Sequence, residues 1–296
     1  MIRNEVSMTA SMIEFRQAAA ASIADPLRQS ALEGATHKFA AGRLAMLDEL
    51  PDADALRDHF KAIRSATLAR LAHYLETFER NATAAGAQVH WAADGDAACR
   101  IVAEIARRHG ITMAVKSKSM ATEEIHLNAA LQAAGVEPVE TDLGEWIIQQ
   151  SEEPPFHIIA PAIHKTRGQV ADLINTITGQ SLDADDIPGM TATARRLLRE
   201  QFLTAGMGIS GGNLAVAETG SVVLVTNEGN GRMVTSLPPV HVAVIGIEKI
   251  APTWDDAATW LALLARSGTG QPMSIYTTAI TGPARPGTSM ARRKST

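Results

Sequence analysis

The chain has 296 residues, 46% apolar and 20% charged, with a formal net charge of −5. That balance calls for a well-buried core and argues against a nucleic-acid protein, which would show a basic face. Aromatics make up 4%, so the core must be packed with Ala, Leu, Ile, Val and Met.

No apolar run approaches the ~20 residues needed to cross a bilayer, so no membrane span is expected. The segment Met1 to Ala24 is interrupted by Arg3, Glu5, Glu14 and Arg16, which leaves no signal-peptide core, and the expected location is cytoplasmic. The first third reads as helix. Leu32, Ala35, Phe39 and Met46 keep apolar helix spacing, and after Pro51-Asp52 the stripe resumes at Leu56, Phe60, Ile63, Thr67, Leu71, Leu75 and Phe78. Gly86 marks its end. Residues 1–86 are therefore expected to form a helical region that packs on the main domain or on a partner.

From Gln88 short β-like runs alternate with helices: strand Gln88–Trp91, helix Asp96–His109, strand Thr112–Lys116, helix Ala121–Ala134, strand Val136–Glu140, helix Leu143–Gln150 and strand His157–Ala160. Such alternation implies βαβ units and a largely parallel sheet. Cys99, the only cysteine, lies in the first of these helices and reads as a small buried hydrophobe. One thiol cannot hold an iron–sulfur cluster, a CxxC zinc site or an intrachain disulfide. The nine histidines show no HxxxH or HExxH pairing, so no metal site is expected.

A polar section, Asp183 to Gly189, leads into a helix over Thr191–Ala205. Gly206-Met207-Gly208-Ile209-Ser210-Gly211 spells GxGxxG, but it follows a helix and leads toward a strand, the wrong context for a dinucleotide site. It reads as a loop or a set of tight turns beside a cleft. Strand-like runs follow at Leu214–Glu218, Ser221–Thr226, Arg232–Thr235 and Val240–Gly246, with Asn230-Gly231 as a hairpin signal. A helix at Trp254–Ser267 and a strand at Met273–Thr278 close the domain, expected over residues 87–282. Residues 283–296 read as a disordered basic tail.

Candidate chemistry sits at the strand ends. Lys116-Ser117-Lys118-Ser119 offers two lysines and an N-cap, with Glu123 and Glu124 suited to the helix dipole. His164-Lys165 lies at a second basic loop of the same kind, where ligands of α/β sheets collect. Glu218, between two strands and beside Gly220, can be a nucleophile, a base or a turn carboxylate bonded to nearby amides. Asn227, Glu228, Asn230 and Arg232 are candidate ligand contacts. His241, at the head of an apolar strand, is a catalyst or a hydrogen-bonded core residue.

Lys116–Ile125, Glu140–Trp146, His157–Lys165 and Gly208–Lys249 together resemble the LUD domain, and most nearly the lactate utilisation protein B family. Ala217–Val222 with Thr226–Arg232 carries the resemblance most specifically, and it extends over Ala31 to Pro286. It implies a NagB/RpiA/CoA-transferase-like α/β sheet with helices on both faces. It implies a cytoplasmic component of a system that oxidises L-lactate to pyruvate with other lactate-utilisation subunits, and a cleft for a small carboxylic acid or cofactor. The family's 4Fe-4S clusters sit on ferredoxin-like cysteines that this chain lacks. The wider fold superfamily suggests two alternatives: a stand-alone CoA-transferase- or isomerase-like enzyme using Glu218, or a non-catalytic docking module.

Overall fold

The computed structural model describes residues 15–153, 155–156 and 160–283. The expected tail beyond 283 and most of the expected strand His157–Ala160 lie outside the described residues.

The fold is α/β. Strands β1 (Met113–Lys116), β2 (Glu137–Glu140), β3 (Met207–Ser210) and β6 (Val240–Ala243) form a parallel sheet in the order β2-β1-β3-β6. Strands β4 (Leu214–Val216), β5 (Ser221–Thr226), β7 (Ile250–Ala251) and β8 (Tyr276–Ile280) form a second sheet in the order β7-β4-β5-β8. There β5 runs antiparallel to both neighbours, and β4 runs parallel to β7.

Helices cover both faces of the parallel sheet, because its strands are apolar on both sides. Ala114, Met207 and Ile209 pack under α4 (Gly95–Arg108) and α6 (Leu127–Ala133), with Cys99 buried among them. Val115 and Val139 face the other way, toward Trp146 of α7 (Leu143–Gln150), Ile174 of α8 (Arg167–Thr178) and Phe202 of α9 (Ile187–Thr204). The expected helix Ala121–Ala134 is broken. α5 (Met120–Glu124) ends at Ile125, and His126 takes a left-handed φ of 54° before α6 begins. No strand forms at Gln88–Trp91, which is irregular chain.

The glycine-rich run is not a loop. Met207–Ser210 is β3, hydrogen-bonded on both sides in the middle of the sheet. A Cβ on Gly208 would lie 1.9 Å from Val234 O, so the glycine lets α10 (Asn230–Ser236) lie directly on the strand backbone. The expected hairpin at Asn230-Gly231 and strand Arg232–Thr235 are replaced by that helix. β5 already pairs with β4 and β8, so it has no edge for a returning strand.

The second sheet rests on the helices α2 (Ala53–Ala69), α3 (Leu71–Ala84) and α11 (Trp254–Thr269), and α1 (Pro26–Asp48) packs on α11. Phe60 joins the cluster of Leu214, Val223 and Trp260, while Leu71, Leu75 and Phe78 cover Ala215, Ala217 and Ile250. Arg64 donates to Ile250 O, Arg266 to Met46 O, and Asn81 to Ala217 O. On the outer side of β2, Gln149 accepts from Glu140 N at 3.0 Å and donates to Pro138 O at 2.7 Å.

Candidate functional site

The chain enters the parallel sheet at β1, steps to β2 on one side, and returns through β3 on the other. That reversal places a crevice beyond the carboxyl ends of β1 and β3, where open α/β sheets bind ligands. Lys116 ends β1, Glu140 ends β2 and Ser210 ends β3.

Lys116 is not available to a ligand. Its Nζ donates to Glu140 Oε1 at 2.6 Å and to Asn128 Oδ1, and Asn128 Nδ2 donates to the same Glu140 oxygen. The side chains of Lys116 and Glu140 are 2% and 9% exposed, so each charge depends on the other to offset its desolvation.

Lys118, two residues on, is the second lysine at the carboxyl end of β1. Its Nζ lies 3.1 Å from Glu145 Oε1. The two form a buried ion pair whose angles fall short of a well-formed hydrogen bond. Burial raises the Glu145 carboxyl above its ordinary range, and the Lys118 charge offsets part of that rise. Glu123, in α5, is pushed up to about 7, first by burial and then by the adjacent Glu145 charge. Burial also raises Glu228, and Asp142 adds to that while Lys118 opposes it. At about 7, Glu123 is roughly half protonated near neutral pH.

Ser117 Oγ and Asn230 Oδ1 are likewise buried and unpartnered. Thr141 ties them into the strand ends: its hydroxyl donates to Lys116 O at 2.7 Å, and Asn230 Nδ2 approaches it at 3.3 Å. Asp142, the next residue, caps α7 by accepting from Gly144 N and Glu145 N, which fixes Glu145 beside Lys118.

On the other flank, Ser210 Oγ lies 2.9 Å from Gly211 O and 2.8 Å from His241 Nε2. A carbonyl can only accept, so the serine proton goes to Gly211 and His241 donates from Nε2. Burial lowers His241 to about 4, leaving it neutral. Ser119 caps α5, and a Cβ on Gly211 would lie 2.7 Å from its Oγ, so the two loops close tightly over the β1–β3 junction.

Of the residues singled out from sequence, Lys116, Lys118, Glu228 and Asn230 meet around the ends of β1 and β2. The others have different partners. Glu218 Oε2 accepts from Trp254 N, at the first turn of α11. Gly220 in the same turn has φ +66° and packs against the backbone of Ala82. His164 and Lys165 both bind Glu153. That pair, Lys165 first, holds the Glu153 carboxyl below its usual range. Asn227 bridges to Gln271 and Ile275 N, and the Arg232 guanidinium lies over the Tyr276 ring at 4.6 Å. Glu140, Glu145, Asn128 and Thr141 are not candidate contacts in the sequence reading, where Ser117 figures only as part of the lysine loop and Glu123 only as a helix-start acid. A polar residue closing an apolar strand, as Glu140 closes Val136–Glu140, was the available signal.

Cys99 donates its Sγ–H to Ile125 O and is buried, and burial raises its pKa. Among the described residues no group of three His, Cys, Asp or Glu side chains could hold a metal ion. The donor set of this chain does not fit an iron–sulfur cluster. No described helix is long and apolar enough to cross a membrane.

Residues 75–293 match the LUD domain. The chain is 41% identical over 283 residues to an uncharacterized electron transport protein, YkgF, of Escherichia coli, covering 95% of this chain and 59% of that one. It is 40% identical over 271 residues to lactate utilization protein B of Oceanobacillus iheyensis, and 42% over 261 residues to the protein of that name from Exiguobacterium sp.. These cover 91% and 88% of this chain, and 56% and 55% of those relatives. The chain thus spans a little over half the length of the curated relatives it matches. No solved structure matches it.

Proposed function

The chain belongs to the LUD domain family, and we propose that it serves lactate utilisation by binding a small carboxylate, L-lactate or its oxidation product, on Lys118. The relatives' names supply the substrate class. In this reading L-lactate is oxidised to pyruvate by an assembly of lactate-utilisation subunits in the cytoplasm. In this reading the electrons leave through clusters that these residues do not ligate, because one buried thiol cannot hold one. A NagB/RpiA/CoA-transferase-like ancestry of the sheet remains part of the proposal.

The observation that carries it is the polar capacity left at the end of β1: Ser117 Oγ and Asn230 Oδ1 are buried without a partner, beside a Lys118–Glu145 ion pair that leaves ammonium donors of Lys118 to spare. Leaving such groups unpaired is costly, and a small acid carrying a hydroxyl offers both kinds of partner. Lys116 serves by holding Glu140 and the strand ends. Glu218 serves α11 as a structural carboxylate, which disfavours the transferase alternative; a covalent Glu218 adduct with a CoA thioester would reverse that assignment.

Isothermal titration of the purified chain with L-lactate tests the site. Replacing a charge-assisted contact costs about 1.5–3 kcal/mol, so Lys118→Met is expected to weaken binding about 10- to 100-fold. Unchanged affinity in the folded variant would remove Lys118 from the site. In a strain that relies on this gene, growth on lactate should fail with Lys118→Met and survive Lys165→Ala.

A further inference from the structure

We propose that Asn230 is the residue by which this site distinguishes a 2-hydroxy acid from the matching 2-oxo acid, and that Thr141 holds its amide in the orientation that does so. The inference rests on the reading that a small carboxylate sits on Lys118.

Thr141 has one hydroxyl proton, and it is spent on Lys116 O, a backbone acceptor at 2.7 Å. Toward Asn230, Thr141 can therefore only accept, so Asn230 must turn its NH2 to the threonine, as found at 3.3 Å. The amide is not free to flip, and its oxygen is left as the group that looks away from Thr141. That oxygen is unpartnered although Asn230 is only 7% exposed. Ser117, at 3% exposed, carries another buried unpartnered oxygen, just beyond the end of β1.

Both acids present the same carboxylate to Lys118 and Ser117. They differ in the neighbouring oxygen. The hydroxyl of a 2-hydroxy acid can donate to Asn230 Oδ1, whereas the carbonyl of a 2-oxo acid would set two acceptors against each other. A buried site built to hydrogen-bond a hydroxyl rejects the analogue that lacks it. Glu145 does not make the distinction, since its Oε1 is turned to Lys118 at 3.1 Å.

Isothermal titration of the full chain with L-lactate and with pyruvate reads this directly. The wild-type chain is expected to bind L-lactate at least about tenfold more tightly than pyruvate. Thr141→Val frees the amide to rotate and should bring the ratio toward one. Thr141→Ser, which keeps the hydroxyl, should retain the preference. Asn230→Leu should weaken L-lactate far more than pyruvate, and Lys118→Met should weaken both alike. Wild-type affinities within twofold of each other, or a Thr141→Val ratio equal to that of wild type, would overturn the assignment while leaving the carboxylate site standing. Binding of neither acid by the folded wild-type chain would overturn both.

Discussion

Lys116 shows how a residue conspicuous in the sequence can be structural. It was singled out as a ligand contact because it stands at a strand end, yet the fold places Glu140 and Asn128 around it. Lys116→Met should therefore strand a buried carboxylate and cost about 3–5 kcal/mol in urea unfolding, whereas Lys116→Met with Glu140→Leu should recover much of that loss. Two other residues tie stability to pH with opposite signs. Glu123 titrates near 7 in the fold against about 4.5 unfolded, so the folded state holds the extra proton between those values. Its contribution to stability falls as pH rises through that window. His241 titrates near 4 against 6.5, so its contribution is lost as pH falls from about 6.5 to 4. Relative to wild type, Glu123→Gln should raise the thermal midpoint more at pH 8 than at pH 5. His241→Asn should lessen the loss of midpoint on acidification.

At the scale of elements, βαβ alternation gave the parallel strands β1 and β2, and helix periodicity gave α4, α7 and α11, because each pattern is local. What escaped were segments whose state is decided by distant contacts. Residues 206–211 carry turn-like glycines, yet Gly208 is glycine because α10 lies on its backbone. Gly208→Ala should cost at least about 3 kcal/mol in chemical unfolding, as overpacking against backbone does. Asn230-Gly231 carries a strong hairpin signal, but no free strand edge was available to answer it. The same logic limits what could be read of the site. Lys118 was visible as a lysine at a strand-to-helix junction and Asn230 as a polar residue between glycines, while Glu145 and Thr141 acquire meaning only when β1, β2 and α7 are brought together.

For the molecule as a whole, the helical first third is an integral wall of the second sheet. Phe60, Leu71 and Phe78 fill its apolar clusters, Arg64 and Asn81 bind the carbonyls of Ile250 and Ala217, and Arg266 ties α11 to Met46 O of α1. Removing residues 28–86 is expected to yield insoluble chain, as followed by size-exclusion chromatography. A docking role for these helices is therefore better probed by surface substitutions than by truncation. Gln149 has a different consequence at this scale. Its amide meets one carbonyl and one N–H on the outer side of β2, the two groups a neighbouring strand would otherwise seek. It acts as a molecular stopper, limiting the parallel sheet to four strands and denying a second molecule a template for edge-to-edge growth. Gln149→Ala should leave the chain folded but make it associate with concentration, so that light scattering rises where wild type stays clear.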